Sequence, residues 1–272
     1  MIKGEESRSL RTVEEIRNKS ARLRDFFDQY LPYSRPTPIL ADFVKVQHEL
    51  MWGGIWLMEG LDLRLRCVAT ITAQCINGYD FGIEHQVRTG LTVGLTAREI
   101  KGIFIQLLFL VGEPVALFGL RIAHGVINER ESWRNSDEVL AMDRDQAIYE
   151  KREIGKSTRL GTLGAYSSGQ IEDTVTHKLM PDLSRLVDGY YSGDVWARDD
   201  LKLKDRMVCS LAALMCRAHY AQLKNQIGLA LDMGMNKREI CEVFSQAGWY
   251  RGWPYVEDAL NQAQDLFEQR NL

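Results

Sequence analysis

The sequence has few of the residues that hold together secreted or metal-binding proteins. Its 272 residues include five cysteines, at positions 67, 75, 209, 216 and 241, and their spacing matches no disulfide framework. An odd, unpatterned set of cysteines indicates a reducing compartment, so we expect a cytoplasmic protein. His48, His124 and His219 are too scattered to predict a metal site, and no His-x-x-x-His motif is present. We therefore expect neither a bound metal nor another cofactor.

Long apolar runs and an excess of positive charge are also missing. The formal net charge of −3 gives no basic surface for nucleic acid. The most apolar run, IFIQLLFLVG, is too short to span a bilayer and is followed by Glu113 and Pro114. The opening residues, MIKGEESRSL, lack the apolar core of a signal peptide. The sequence thus predicts no nucleic-acid partner and no membrane segment.

No strand–turn–strand pattern appears, and the chain is predicted to be all-α. The segments LDLRLRCVATITAQCINGY and LKLKDRMVCSLAALMCRAHY carry apolar residues at helical spacing, although the first is rich in β-branched residues. The next predicted helices end near Gly94 and Gly234, and N-cap pairs follow at Thr96 with Glu99 and Asn236 with Glu239. The segments Gly-Glu-Pro at 112–114 and Gly-Trp-Pro at 252–254 then predict a break and a new helix.

These matching features belong to an internal repeat with an offset of 140 residues. Between positions 61 and 126, 17 of 66 residues are identical to their partners, where average composition predicts roughly four. Upstream, Asp42, Gly53 and Trp56 match Asp182, Gly193 and Trp196. We predict two similar helical domains, at 41–128 and 181–272, with an N-terminal helical extension at 1–40 and a charged helical connection at 129–180. A helix start is predicted at Thr12 and Glu15 of the extension.

The phrases GIWLMEGLDLRLR and GDVWARDDLKLKDR, with the capping and Gly-x-Pro segments that follow, resemble the carboxymuconolactone decarboxylase family. This family includes the alkylhydroperoxidase D proteins, and the resemblance covers about residues 41–128 and 181–268. It implies two alkylhydroperoxidase D-like helical domains in tandem. Because single-domain members pair into dimers and rings, it also implies self-association, as a homotrimer that forms a pseudo-hexamer.

The resemblance also locates the family's functional positions. The motif histidine falls on Gln86 and Gln226, and the upstream glutamate position falls on Cys67 and Met207. The two cysteine positions of the peroxidase branch become Tyr79 and Gly82 in the first repeat, and His219 and Gln222 in the second. Thiol exchange needs an attacking and a resolving sulfur, so a disulfide relay is not expected.

Helical spacing predicts that positions 75, 79, 82 and 86 share one stripe. The resemblance to the family implies that the substrate pocket is built against it. In the first repeat the stripe is Cys75, Tyr79, Gly82 and Gln86, and in the second it is Met215, His219, Gln222 and Gln226. Tyr79 and His219 can donate or accept a proton, whereas the glutamines can only form hydrogen bonds. The alternative is that these polar groups satisfy one another within a helix bundle.

Three further candidates lie near this stripe. His85 sits one residue before the motif position, and it would face elsewhere unless the loop near Asn77 and Gly78 shifts. Arg88 lies three residues after His85 and either binds substrate or forms a surface ion pair. Glu113 is either an acid with a raised pKa or an exposed loop carboxylate. The repeated Arg66 and Arg206 either hold an anion or, as we favour, form an ion pair between helices.

The resemblance thus implies a cofactor-independent lyase that acts on a small cyclic carboxylate or lactone, in the catabolism of aromatic compounds. The predicted catalytic residues are His85, Tyr79, His219 and Glu113, and the predicted substrate-binding residues are Gln86, Arg88, Cys75 and Gln226. Tyr79 and Gln86 would stabilise the developing oxyanion, and His85 or His219 would protonate carbon. Isomerisation, cyclisation or dehydration remain open, because the motif histidine is absent. The alternative is a non-catalytic ligand-binding or scaffold oligomer.

Overall fold

A computed structural model describes residues 41–134, 150, 153–154 and 175–272. Helices dominate these residues, and none of them lies in a β-strand, so the all-α prediction is confirmed. The helix predicted from Thr12 and most of the charged connection at 129–180 lie outside the described residues. Among the helices that the structure describes, none is long and apolar enough to cross a bilayer.

The chain divides into two compact units, Met1–Glu59 and Gly60–Leu272. In the described part of the first unit, α1 (Ala41–Val46) runs into a π-helix (Gln47–Trp52), and a short 3-10 helix (Ile55–Leu57) follows. The indole rings of Trp52 and Trp56 lie 5.3 Å apart. This tryptophan pair joins the two helical segments of the unit.

The second unit contains the main helices of both repeats. The first repeat supplies α2 (Leu63–Asn77), α3 (Asp80–Thr92), α4 (Ala97–Val111) and α5 (Glu113–Ile127), followed by the short α6 (Glu131–Arg134). The second repeat begins with α7 (Val175–Leu179), α8 (Pro181–Val187) and a π-helix (Asp188–Val195). It continues with α9 (Leu203–Cys216), α10 (Tyr220–Asp232), α11 (Lys237–Arg251) and α12 (Trp253–Gln269). Helices α10 and α11 therefore start and stop at the same repeat positions as α3 and α4.

The helix boundaries follow from the local residues named by the sequence. Thr96 and Asn236 each form a full capping box with the glutamate three residues later, which starts α4 and α11. Gly112 and Gly252 adopt φ values of 89° and 125°, and a proline follows in the first turn of α5 and of α12. The predicted boundaries of these helices are confirmed.

Helices α2 and α9 form the centre of the unit. Every residue from 65 to 75 in α2 and from 205 to 216 in α9 is buried, as expected of helices surrounded on all sides. Helix α2 packs against α9 and α11, and α9 packs against α2 and α4. The central helix of each repeat is thus covered by helices of the other repeat, and the two repeats share one core. Helices α3 with α5, and α10 with α12, pack on the outside of this core.

Candidate active site

Helix α3 carries the position of the family's motif histidine, and its polar residues are buried. It packs against α2 and α5, and Gln86 and His85 are each only 3% exposed. Nε2 of Gln86 lies 3.2 Å from Nδ1 of His85. When the glutamine amide donates this bond, the proton of a neutral imidazole is on Nε2. Burial, followed by the charge of Arg88, lowers the pKa of His85 to about 4, so the ring is neutral at physiological pH.

Two buried oxygen atoms on α3 are available for a ligand. Among the described residues, Oε1 of Gln86 and Oγ1 of Thr89 have no hydrogen-bond partner. The two residues are three positions apart and therefore lie on adjacent turns of one helix face. A buried polar atom without a partner is costly, and most such atoms in proteins are satisfied. The α3 face is therefore the part of the first repeat best suited to hydrogen-bond a small molecule.

The predicted four-residue stripe is interrupted between its first two members. Helix α2 ends at Asn77, and Gly78 adopts the left-handed conformation with φ 65°, so Cys75 and Tyr79 belong to different segments. Tyr79 is the N-cap residue of α3 and is 52% exposed. The prediction of one continuous stripe was wrong because the glycine cap redirects the chain after α2. Gly82 and Gln86 do share a face of α3.

The start of α3 is closely covered, although Tyr79 is half exposed. A Cβ atom added to Gly82 would come within 2.6 Å of Cδ1 of Tyr79 and 2.7 Å of Oε1 of Gln74. The tyrosine ring and the Gln74 amide therefore lie over the first turn of α3, and a side chain at position 82 would require both of them to shift. Gln74 is buried and was not identified by the sequence, because its partner in the second repeat is Leu214.

The equivalent helix of the second repeat presents its polar residues to solvent. His219 is the exposed N-cap residue of α10, and Gln222 and Asn225 are exposed as well. Gln226 is half-buried, and its Oε1 also has no hydrogen-bond partner among the described residues. The two α-helices that carry the motif position thus differ in burial, and only the first encloses its polar groups.

Three other predicted site residues have structural surroundings that do not favour catalysis. Arg88 is bound by Glu84, at 3.2 Å, and by Glu129, as the surface ion-pair alternative predicts. Glu113 is exposed at the first residue of α5, which matches the alternative of an exposed loop carboxylate. The thiol of Cys75 is buried against α5, with Sγ 3.4 Å from the carbonyl oxygen of Val115, and burial raises its pKa to about 12.

Comparison with known proteins places these two helical repeats in a family. The model of the carboxymuconolactone decarboxylase family matches residues 41–125 and again residues 181–265. The chain belongs to the carboxymuconolactone decarboxylase family. The two matches show the same offset of 140 residues as the repeat, so the prediction of a tandem duplication within this family is confirmed.

Two curated relatives each align with about one third of the chain. An uncharacterized 15.0 kDa protein from the nqo9-nqo10 intergenic region of Paracoccus denitrificans is 28% identical over 96 residues, covering 35% of the chain and 72% of that protein. The 4-carboxymuconolactone decarboxylase of Acinetobacter baylyi is 22% identical over 91 residues, covering 34% of the chain and 68% of that enzyme. From these coverages, both relatives are about half as long as this chain.

As a member of this family, the chain has no reactive thiol at the motif positions. All five cysteines are free, and Cys241 alone is half-buried while the other four are buried. Burial raises the pKa of every one of these thiols, to about 12 for Cys209 and Cys216. A protonated, inaccessible thiol is a poor nucleophile. These thiols therefore do not suit peroxidase chemistry. In the described part of the chain, no group of three His, Cys, Asp or Glu residues is placed to hold a metal ion.

Of the two repeated arginines, Arg66 forms the ion pair between helices that we favoured from the sequence, whereas Arg206 pairs with a residue of the loop before its own helix. Nη2 of Arg66 lies 2.6 Å from Oε2 of Glu242, and Arg206 pairs with Asp200. Both arginines are 1% exposed or less. Their charges are already balanced by protein carboxylates. They are therefore structural residues of the shared core and not substrate-binding groups.

Proposed function

We propose that this member of the family is a cofactor-independent lyase that decarboxylates a small cyclic carboxylate or lactone at α3 of the first repeat. The observation that supports the proposal most directly is the buried pair of Gln86 and His85 at the position of the family's motif histidine. The similarity to a named 4-carboxymuconolactone decarboxylase suggests the substrate class. A role in the catabolism of aromatic compounds follows from this substrate class, and the five free thiols support a cytoplasmic location.

In the proposed reaction, the bond between the ring carbon and the carboxylate breaks and carbon dioxide leaves. The electron pair moves into the conjugated carbonyl, whose oxygen becomes an enolate-like anion. A neutral imidazole with its proton on Nε2 can donate a hydrogen bond to such an oxygen without first losing charge. His85 is therefore assigned to oxyanion stabilisation, together with the second N–H of the Gln86 amide, whose first N–H donates to His85. Oε1 of Gln86 can only accept a hydrogen bond, so it and Thr89 are assigned to donor groups of the substrate.

The proton that the ring carbon then requires is assigned to Tyr79. A pKa near 4 leaves His85 without a second proton at neutral pH, so it does not suit the role of general acid. Tyr79 covers the start of α3 and is half exposed, which allows its hydroxyl to exchange protons with solvent. His219, Gln226 and Glu113 have no role in this proposal, because His219 and Glu113 are exposed and Gln226 lies in the repeat whose polar residues face solvent.

The test is an activity assay on purified chain with 4-carboxymuconolactone, which measures carbon dioxide release and loss of ultraviolet absorbance. Gln86→Leu should lower kcat by about 100-fold or more, the range found when an oxyanion donor is removed. The matched variant Gln226→Leu, at the same position of the second repeat, should change kcat less than threefold. No turnover by the wild-type chain, or equal effects of the two variants, would refute the assignment. Ligand binding without turnover would instead support a non-catalytic binding protein.

We also propose that the chain assembles as a homotrimer, a pseudo-hexamer of repeats. Each repeat exposes an apolar helix face at the same three positions. In the first repeat the residues are Phe43, Val46 and Leu50, and in the second they are Leu183, Leu186 and Tyr190. A face that occurs twice per chain suits contacts with two neighbouring copies, which is what a closed ring requires. Light scattering should give about three times the chain mass of 31.1 kDa, and Val46→Glu with Leu186→Glu should give the monomer mass.

A further inference from the structure

The two repeated arginines occupy equivalent sites in the shared core. Nη1 of Arg66 donates to Oε1 of Gln246 at 3.0 Å, and Nη1 of Arg206 donates to Oε1 of Gln106 at 3.3 Å. In each site the arginine and the glutamine come from different repeats. Each glutamine then donates to a hydroxyl one turn after the arginine, on Thr70 and Ser210 respectively, at 3.1 Å. The two sites therefore follow the internal repeat residue by residue.

The carboxylates in the two sites break this equivalence. Arg66 pairs with Glu242, which is on α11 of the opposite repeat, whereas Arg206 pairs with Asp200, which precedes α9 in its own repeat. The repeat partner of Glu242 is Gly102, and the repeat partner of Asp200 is Gly60. Each arginine thus has one carboxylate and one glycine near it. The carboxylate of Arg66 belongs to the opposite repeat, whereas the carboxylate of Arg206 belongs to its own repeat.

The Glu242 carboxylate lies in the space that Gly60 leaves, whereas Gly102 is in ordinary contact with Asp200. A Cβ atom at Gly60 would lie 2.7 Å from Cδ and Oε1 of Glu242. The amides of Gly60 and Leu61 donate to the same carboxylate at 2.8 Å and 2.9 Å. At Gly102 an added Cβ atom would lie 3.0 Å from Cβ of Leu201 and 3.5 Å from Cγ of Asp200. A side chain at position 60 would therefore displace the Glu242 carboxylate from its present position.

We infer that these exchanged carboxylates make the interface selective, so that a first repeat pairs only with a second repeat. Two first repeats would place Gly102 where Glu242 now stands beside Arg66, and would bring Arg98 close to it as well. Removing one partner of a buried ion pair is strongly destabilising. Two second repeats would place Asp200 and Glu242 in the same space. Only the mixed pair gives each arginine one carboxylate, whether the repeats belong to one chain or to two.

This selectivity has a use in a chain that contains both repeats. Repeats derived from one ancestor keep similar faces, so each could pair with its own kind on another chain and produce open-ended assemblies. A charge pattern that penalises both self-pairings removes this route. The inference concerns the shared core and is independent of the proposed lyase activity.

The first experiment asks whether the two arrangements are interchangeable in the full-length chain. Glu242→Gly removes the carboxylate that pairs with Arg66 and should raise the unfolding equilibrium constant about 100-fold or more. Gly60→Asp should raise it as well, because of the overlap with Glu242. The double variant, Gly60→Asp with Glu242→Gly, rebuilds the arrangement around Arg206 and should recover most of the loss. Additive effects of the two changes, measured by urea unfolding, would overturn the inference.

The second experiment asks whether asymmetry controls pairing. Gly60→Asp with Glu242→Gly makes the two repeats alike at these positions, and so does Gly102→Glu with Asp200→Gly. After refolding from urea, both double variants should form assemblies larger than the wild type, and the amount should rise with protein concentration. Light scattering should detect several times as much of these assemblies as in the wild type. The quadruple variant combines all four changes, restores the asymmetry in inverted form, and should refold like the wild type. A mass distribution equal to that of the wild type in the double variants would overturn the inference. Failure of both doubles to fold, while the single variants fold, would overturn it too.

Discussion

Nε2 of Gln86 lies 3.2 Å from Nδ1 of His85, and neither side chain is more than 3% exposed. The two residues are consecutive on α3, yet both point into protein because α3 is covered by α2 on one side and α5 on another. The contact fixes the orientation of the imidazole and keeps it away from bulk water. Because the enclosed imidazole has a lowered pKa, its protonation can be followed through the pH dependence of unfolding.

His85 should make the protein less stable as the pH falls. Burial lowers its pKa to about 4, whereas an unfolded chain protonates histidine near pH 6.5. Between these values the unfolded state binds more protons, so the free energy of unfolding decreases as the pH falls through this window. We expect His85 to contribute a loss of about 2 kcal/mol between pH 7 and pH 5. Urea unfolding of wild type and His85→Gln at both pH values measures this difference.

The exposed His219 provides the matched control for this pH effect. His219→Gln alters the equivalent N-terminal region of α10 and should leave the pH dependence of the unfolding free energy as in the wild type. If His85→Gln and the wild type lose stability in parallel between pH 7 and pH 5, His85 is not held neutral by burial.

Asp205 should have the opposite pH dependence. It is buried, and burial raises its pKa to about 6 despite its 2.6 Å ion pair with Arg64, which Glu99 also shares. Between pH 6 and pH 4 the folded state binds more protons than the unfolded state, so this group favours folding as the pH falls. Asp205→Asn should therefore raise the unfolding free energy at pH 7.5, by about 3 kcal/mol, and give less than about 1 kcal/mol of gain at pH 4.

The control for Asp205→Asn is Asp199→Asn, which removes a carboxylate that is 78% exposed. Exposed ion pairs contribute little, so this variant should change the unfolding free energy by less than about 1 kcal/mol. A loss of stability in Asp205→Asn at pH 7.5 would show that the ion pair with Arg64 outweighs the burial of the carboxylate.

Substitutions in the turn after α2 and in the turn after α9 should change the stability of the chain in opposite directions. Gly78 has φ 65°, and its repeat partner Ala218 has φ 56°. A side chain in this left-handed region costs about 1 kcal/mol, and no atom lies within 4 Å of a Cβ built on Gly78. Gly78→Ala should therefore destabilise the chain by about 1 kcal/mol, and Ala218→Gly should stabilise it slightly. Thermal unfolding of both variants measures the pair, and shifts of equal sign would contradict the strain argument.

The thiols should be unreactive until the chain unfolds. Four of the five cysteines are buried, and Cys241 is half-buried with a raised pKa. In the native protein we expect a thiol reagent such as Ellman's reagent to modify at most Cys241, and all five thiols should react in denaturant. Cys241→Ser should then abolish the native reaction. Rapid native modification of more than one thiol would indicate that the core opens readily.

Local sequence predicted the helix boundaries well because the residues that start and stop helices act within a few positions. Thr96, Asn236 and the Gly-x-Pro segments satisfy backbone groups in their own turns, whatever packs around them. The direction in which His85 points could not be predicted from local sequence. Helical periodicity gave its direction relative to Gln86, but only the cap at Gly78 sets the direction in which α3 begins.

The sequence alone determined the helical class, the duplication and the family, because periodic apolar positions, caps and an offset of 140 residues are properties of the chain itself. It also identified Arg66 and Arg206 as residues common to both repeats. Tertiary structure decided which polar residues are enclosed, since burial depends on how distant helices pack and not on neighbours in sequence. It buried His85 and Gln86 and exposed His219. It also brought Glu242 to Arg66 across 176 positions of chain, a contact that no local pattern specifies.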